Sequence, residues 1–432
     1  MGKKAVKFGG TSLATAEQMK KAAAIVHRDA ARQVIVVSAP GKRSPNDIKI
    51  TDLLYKCYEA EGAEKEMLFS EITSRIDTIA RELLLPLDFT EDYQKMKIDA
   101  ISRDAFVSRG EYFSAKIMAA LLGFEFLDAA DVIFFREDGT LDEENTYAVM
   151  TEYLEEHPRV VIPGFYGRRA DGGVQTFSRG GSDITGSIAA VAAGAFLYEN
   201  FTDVCGVFSA SPKIVKDPRR IDAISYRELR RLSYMGASVF HEDAVFPVSR
   251  AGIPIMIAST DHPEAGGTRI VSKKEKKGAV CGIAGKTGFV RVAIRRRDLG
   301  ENAAHISSLM SVLAALGLSV YGVGSTADDV CVILKEGDFE RQRDLLFFAI
   351  RPLSPEVICV QKHLSLIAVV GETMAEEVSP LVLSAIADLG ERPLFVASGA
   401  DTLGLTIAVR EEAMEFAIRS IYAKLAQGDF LA

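Results

Sequence analysis

The sequence predicts an α/β protein with a mainly parallel sheet, followed by a smaller α+β region built twice over. Three observations carry this. Short apolar runs (Ala5–Phe8, Gln33–Ser38, Arg159–Pro163) alternate with amphipathic helical stretches, the order of a parallel sheet covered by helices. Glycine pairs stand where the chain turns from an apolar run into a helix, at Gly9-Gly10 and Gly180-Gly181. Beyond residue 285 the succession strand, helix, glycine, strand, strand, helix occurs twice.

Ala5–Phe8 reads as a strand, and Ser12 is expected to cap a helix with Met19, Ala22, Ala23 and Val26 on one face. Gln33–Ser38 is almost wholly apolar, as a strand buried on both faces is, and Arg159–Pro163 resembles it. The α/β region is expected to span 1–272. Asp261–Gly267 and the lysine-rich Lys273–Lys277 read as a linker or surface turn. The first repeat is expected over 285–360. It has strands Phe289–Ile294, Ser319–Gly322 and Val330–Leu334, and helices Ala303–Leu316 and Phe339–Ile350. The second, over 361–432, has strands Leu364–Val370, Pro393–Ala397 and Leu403–Val409, and helices Glu376–Leu389 and Glu411–Leu425. Ile306, Leu309, Met310 and Leu313 follow helical spacing, Val378, Leu381, Val382 and Ile386 line the equivalent face, and Gly317 and Gly390 stand where helices stop. Each copy is too small to bury much core alone, so the two are expected to pack together or against another subunit. They serve as a ligand sensor or as a dimerisation module.

Composition narrows the function. Fifty-one Lys+Arg against 59 Asp+Glu give a net charge of −8, and no basic run exceeds the triplet Arg295–Arg297, which disfavours nucleic-acid binding. Five scattered cysteines without a Cys-x-x-Cys pair fit reduced thiols rather than disulfides or zinc. No apolar stretch approaches the roughly 20 residues that span a bilayer, and no signal peptide opens the chain, so no membrane association and a cytoplasmic location are expected.

Four segments carry chemistry. In Lys7-Phe8-Gly9-Gly10-Thr11-Ser12, glycines at a strand end let backbone N–H groups approach a phosphate, and Lys7 adds a positive charge. A tight turn is the plainer reading of that segment alone, and it is not a G-x-x-x-x-G-K-[ST] loop. Ser178-Arg179-Gly180-Gly181-Ser182-Asp183 opens a second helix; Arg179 is suited to a carboxylate, and Asp183 either aligns Lys7 or a nucleotide-bound metal, or favours the helix dipole. Ser38-Ala39-Pro40-Gly41 lies at a strand's carboxyl end, where open α/β sheets bind ligands. Ser108-Arg109-Gly110-Glu111 enters a helix with an acid that either caps it or receives an ammonium group.

These four segments, in this order, resemble the motifs of aspartokinases, within the amino-acid kinase fold. Phe201–Phe208 resembles that family's nucleotide-base segment, Arg220–Tyr226 and Met235-Gly236-Ala237 extend the likeness, and the two repeats resemble tandem ACT domains. The resemblance implies an αβα catalytic domain over 1–272 and ACT domains over 285–360 and 361–432. It implies transfer of the γ-phosphoryl of ATP, with Mg2+ held by the nucleotide rather than by protein side chains, to the side-chain carboxylate of L-aspartate. Lys7 and Asp183 are then catalytic. Ser38, Thr51, Glu111, Arg179, Gly180 and Ser182 bind aspartate, with Glu111 on its amino group and Arg179 on its α-carboxylate. Lys7, Gly9, Gly10, Thr11, Ser12, Thr202, Asp203, Phe208 and Lys213 surround the nucleotide and its phosphates. An amino-acid effector at Asn302, Ser319 and Tyr321 and a homodimer or dimer of dimers are further implications. The chain ends at Ala432 just after the second repeat, so no appended dehydrogenase is expected.

The sequence departs from the family in places. Phe208 stands where a tyrosine is common, Ser211-Pro212-Lys213 replaces Asp-Pro-Arg, and Ser238 stands where a lysine near the nucleotide is usual. An altered nucleotide pocket with weaker ATP affinity is expected. Tyr321 follows Ser319-Val320 where lysine-sensing members carry Asp, so conventional lysine inhibition is not expected. The competing readings are a sister amino-acid kinase and a non-catalytic amino-acid sensor; the retained set Lys7, Glu111, Arg179 and Asp183 argues against the sensor.

Overall fold

The structure is a computed structural model that describes residues 2–99, 102–178, 180–237, 242–273, 280–372, 376–398 and 403–431. Its contacts divide the chain into two compact units. The N-terminal unit takes Met1–Val207, Asp222–Tyr226 and Val239–Lys274, and the C-terminal unit takes Phe208–Ile221, Arg227–Ser238 and Glu275–Ala432.

Among the described residues, the N-terminal unit is built on an eight-stranded sheet. Its strands are β1 (Lys4–Phe8), β2 (Arg32–Val37), β3 (Glu125–Phe126) and β4 (Val160–Pro163), then, past a separate hairpin of β5 (Tyr166–Arg168) and β6 (Val174–Thr176), β7 (Leu197–Thr202), β8 (Ala223–Ser225), β9 (Ile255–Ser259) and β10 (Gly267–Val271). The order is β3-β4-β2-β1-β7-β9-β10-β8, parallel throughout except where β10 runs against β9. Strand alternation explains what β1 does. Val6 and Phe8 point into a core shared with Met19, Ala22 and Val26 of the helix Ala16–His27 and with Phe113, Ile117 and Met118 of the helix Arg109–Leu122. Lys7, between them, points to the opposite face, towards the helix Gly181–Ala192.

One local expectation changes, and of the two readings of Asp261–Gly267, linker or surface turn, the turn holds. Ser12 does not cap the first helix. Residues Gly10–Leu13 make a single 3-10 turn, and the helix begins at Ala16 with Thr15 as its cap, its Oγ1 accepting the Gln18 N–H at 3.3 Å. Ser12 is buried, its hydroxyl paired with Thr260 Oγ1 at 2.6 Å. Asp261–Gly267 is the turn of the β9–β10 hairpin, inside this unit.

Among the described residues, the C-terminal unit holds one six-stranded antiparallel sheet. Its strands are β11 (Gly282–Arg295), β12 (Val320–Ser325), β13 (Asp329–Lys335), β14 (Val357–Val370), β15 (Phe395–Ala397) and β16 (Gly404–Arg410), in the order β12-β13-β11-β14-β16-β15. Each repeat is a βαββα unit, and the two join through the long strands β11 and β14. Sharing goes deeper than edge pairing. Val290, Val292 and Ile294 of β11 face the first repeat's helices, with Ile358 and Val360 of β14 against the same core, while Ile283 of β11 lies in the second repeat's core beside Ile367 and Val369. Gly317 (φ 66°) and Gly390 (φ 71°) adopt the left-handed conformation just past their helices. The stretch Phe208–Ile221, expected within 1–272 as part of the first domain, groups here instead. Ala210 and Val215 are buried among Val280, Ile283, Ile421 and Leu425, and Ile283 N–H donates to the Ser209 carbonyl at 2.7 Å.

Candidate active site

At the carboxyl ends of β1 and β2 the N-terminal unit opens a cleft of about 420 Å3. It is lined by Lys7, Gly9, Gly10, Thr11, Ser38, Ala39, Pro40, Gly41, Lys49, Thr51, Glu111, Phe165, Gly180, Gly181, Ser182, Asp183, Thr202 and Asp203. Four segments distant in sequence thus converge at the place where open parallel sheets bind ligands.

Lys7 and Asp183 form the centre. Lys7 is 8% exposed, and its Nζ lies 2.5 Å from Asp183 Oδ1. The same Oδ1 accepts a hydrogen bond from Asn200 Nδ2 at 2.9 Å. Asn200 stands opposite Lys7 in the β1–β7 register, so three polar groups meet on one face of two adjacent strands. Asp183 sits in the first turn of the helix Gly181–Ala192, whose N-cap Gly180 has φ 60°, a conformation side chains disfavour. The helix therefore starts abruptly, with Ser182 and Asp183 facing the cleft.

The two glycine turns interlock. Gly41 N–H donates to the Gly10 carbonyl at 2.7 Å, and a Cβ on Gly10 would stand 2.8 Å from the Ala39 oxygen. Only glycine allows the backbones to approach so closely, and this leaves main-chain groups of both loops on the cleft wall.

Glu111 closes one side. It is 5% exposed, its Oε2 has no hydrogen-bond partner, and the carboxylate accepts from the Ala39 backbone N–H. Burial pushes its pKa up to about 8, only partly opposed by that N–H. An orphaned carboxylate oxygen in a cleft is an acceptor suited to an ammonium group.

Most of the residues singled out from the sequence line this cleft. Ser12 does not, for the reason given above. Phe208 and Lys213 are not among the lining residues and belong to the C-terminal unit. Arg179 and Ser238 lie outside the described residues. Three participants escape a reading of the sequence. Asn200 sits in β7 (Leu-Tyr-Glu-Asn-Phe-Thr) beside the equally buried Glu199, and its mid-strand polarity is the available signal. Lys49 stands two residues before Thr51 with no motif to mark it. Phe165, with φ 84°, holds a backbone conformation rare for a bulky residue, and nothing in the sequence announces it.

In the C-terminal unit, Tyr321 of β12 stacks on Tyr234 (centroids 5.3 Å apart, planes at 26°) and meets Phe289 edge-on at 4.9 Å. Asn302 is engaged as the N-cap of the helix Ala303–Ala315, its Oδ1 accepting the Ala304 N–H at 2.9 Å.

Comparison with known proteins now gives the class. Residues 3–259 match the amino acid kinase family. The chain is 37% identical to Aspartokinase 3 of Bacillus subtilis, over 98% of this chain and 99% of that one. It resembles the crystal structure of Clostridium acetobutylicum aspartate kinase with a TM-score of 0.89 at 37% identity, covering 98% and 99% of the two chains. Escherichia coli aspartokinase III, solved with aspartate and ADP, shares the fold (TM-score 0.78, 24% identity, 98% and 100% coverage). The chain therefore belongs to the aspartokinases, within the amino acid kinase family. It is an enzyme, and its C-terminal repeats are of the ACT type.

Proposed function

We propose that the cleft transfers the γ-phosphoryl of ATP to the side-chain carboxylate of L-aspartate, giving 4-phospho-L-aspartate, the first step of aspartate-family amino-acid biosynthesis. The observation that carries this is the convergence of the Lys7–Asp183 pair, two glycine turns and the orphaned Glu111 carboxylate in one cleft. A carboxylate oxygen attacks phosphorus, the bond from phosphorus to the β,γ-bridging oxygen breaks, and ADP leaves. An aspartate side chain ordinarily titrates at about 3.9, so the acceptor is ionised at neutral pH, no proton needs to move and no histidine is required. Lys7 meets the negative charge of the phosphoryl group in transit, Asp183 and Asn200 fix its position, and the loop amides of Gly10 and Thr11 hold phosphate oxygens. Glu111 takes the substrate ammonium, which turns a poorly solvated carboxylate into a paired one. By the family resemblance Arg179 takes the α-carboxylate.

Magnesium fits as a passenger of the nucleotide. Among the described residues no three His, Cys, Asp or Glu side chains converge on a point, while Asp203 offers the cleft a carboxylate without an ion-pair partner among those residues. When bound, the ion neutralises phosphate charge. The experiment is trapping of the acyl phosphate as its hydroxamate from Mg-ATP and L-aspartate, with L-glutamate alongside. Turnover of aspartate abolished by Lys7→Ala and by Asp183→Ala is the expected result; a preference for glutamate moves the chain to a sister kinase.

Regulation is assigned to the ACT-type repeats, in a homo-oligomer. By the family resemblance Tyr321 stands where lysine-sensing members carry an acid, and its ring packs on Tyr234 and Phe289. An effector other than lysine is therefore expected there. Saturable lysine inhibition that disappears in Asn302→Ala or Tyr321→Ala would overturn this. We place the enzyme in the cytoplasm, with its proposed substrates. No helix among the described residues is long and apolar enough to cross a membrane.

A further inference from the structure

The loop from Gly41 to Lys49 is exposed along most of its length, with Lys42, Arg43, Ser44, Pro45 and Asn46 all facing outward, yet it is built like a core element. Arg75, on the helix Gly62–Glu82 and only 7% exposed, reaches into it from below. Its Nη1 donates to the Ile48 carbonyl at 2.7 Å and its Nη2 to the Gly41 carbonyl at 3.1 Å, with Asp47 Oδ2 3.3 Å away. Arg43 then forks onto Asp47, with Nε and Nη2 each 2.9 Å from a carboxylate oxygen. The base is closed by Ile50 N–H donating to the Pro40 carbonyl at 3.2 Å. A buried arginine is a costly way to hold a surface loop unless the loop must present something at a fixed place.

What it presents is Lys49. This lysine lines the cleft next to Thr51, is exposed, and its side chain makes no hydrogen bond or ion pair among the described residues. Lys7, the other cation among the described lining residues, is already committed to Asp183. A reaction that brings a phosphoryl group against a carboxylate must overcome the repulsion of two anions. The cleft therefore has use for a cation that is not already neutralised.

We infer that Lys49 is a further catalytic residue of the phosphoryl transfer, contacting the oxyanions where the phosphoryl group and the acceptor carboxylate meet, and that Arg75 is its positioning residue, acting through Asp47 and the Gly41 and Ile48 carbonyls. The inference rests on the functional reading above. It goes beyond that reading in assigning a second cation and the device that holds it.

The test is steady-state kinetics on the full-length chain with Mg-ATP and L-aspartate. Lys49→Met should lower kcat by about 10²- to 10³-fold with an unchanged melting temperature, because the side chain has no partner to lose. Lys49→Arg should recover part of that loss. Arg75→Gln should lower kcat by roughly ten- to a hundredfold. If Arg75 acts through Lys49, the Lys49→Met/Arg75→Gln double variant should be no slower than Lys49→Met alone. Should Arg75→Gln not accumulate as folded protein, Asp47→Asn loosens the same loop and takes its place in the cycle. A wild-type chain active on aspartate, with Lys49→Met within twofold of it in kcat and KM, would overturn the role of Lys49. Multiplying effects in the double variant would overturn the positioning role of Arg75. A wild-type chain that phosphorylates neither aspartate nor glutamate would overturn the functional reading, and this inference with it.

Discussion

Lys7 and Asp183 lie far apart in sequence and meet at 2.5 Å, one on the central strand, the other in the first turn of a helix packed across it. The pair is largely buried, with side chains 10% and 18% exposed. Breaking it from one side leaves a charge in a poorly solvated place. Asp183→Ala should therefore cost stability as well as activity, by about 3 kcal/mol. The Lys7→Ala/Asp183→Ala double variant should regain part of that loss while remaining inactive. Urea unfolding of the three variants checks this; a double variant less stable than Asp183→Ala would sink the idea.

Glu111 gives a pH dependence with a definite sign. Its folded-state pKa of about 8 lies above the unfolded value near 4.3, so the folded protein binds the proton more tightly. Its favourable contribution is complete below about pH 4 and is lost as pH rises towards 8. Glu111→Gln, which cannot ionise, should be more stable than the parent above pH 8 by a few kcal/mol, with the difference shrinking towards pH 5. Unfolding curves between pH 5 and 9 measure it, and a difference that stays flat over that range would refute it. Aspartate binding should also release a proton near pH 6.5, visible in calorimetry as a heat that depends on the buffer's own ionisation enthalpy.

The interlocked glycines predict a steric effect. A Cβ on Gly41 would lie 2.7 Å from the Gly10 carbonyl carbon and 2.8 Å from the Thr11 nitrogen, all backbone atoms that cannot swing aside. Gly41→Ala should destabilise the protein by about 1–3 kcal/mol and raise the KM for ATP. Gly62→Ala is a useful control: its Cβ would meet nothing within 4 Å, and only its φ of 56° opposes the change. A Gly41→Ala enzyme with the parent's KM for ATP would show that the close approach does not shape the phosphate site.

The Tyr234–Tyr321 stack predicts a coupling within the C-terminal unit. A double-mutant cycle to alanine should return about 0.5–1.5 kcal/mol of interaction energy. Additive effects would mean that the rings are neighbours without mutual stabilisation.

Much of this is legible in the sequence because it follows from local rules. The alternation of apolar runs and helices implies the parallel sheet, and β-strand periodicity sets Lys7 apart from Val6 and Phe8. The paired repeats show in their helix spacing and in Gly317 and Gly390. What escapes depends on tertiary contacts. Ser12 looks like a helix cap, but its hydroxyl has a better partner in Thr260, far along the chain, and Thr15 takes over. Phe208 is assigned to the nucleotide by the family resemblance alone, and a resemblance does not tell which core a segment joins; here Phe208 groups with the C-terminal unit. Lys49 carries no motif of its own, and its interest comes from having no partner in a cleft where Lys7 has one.

The grouping of Phe208–Ile221 with the C-terminal unit bears on how the chain is made. Ala210 and Val215 are buried against Ile421 and Leu425, which leave the ribosome some two hundred residues later, on the order of ten to forty seconds at ordinary synthesis rates. Val280 and Ile283 emerge first, so for that interval an apolar stretch in the middle of the nascent chain has only part of its native cover. The N-terminal unit's own sequence is complete by Lys274, but the Phe208–Ile221 segment that interrupts it waits for residues of the last helix, so a chain cut short before that helix keeps this segment partly uncovered.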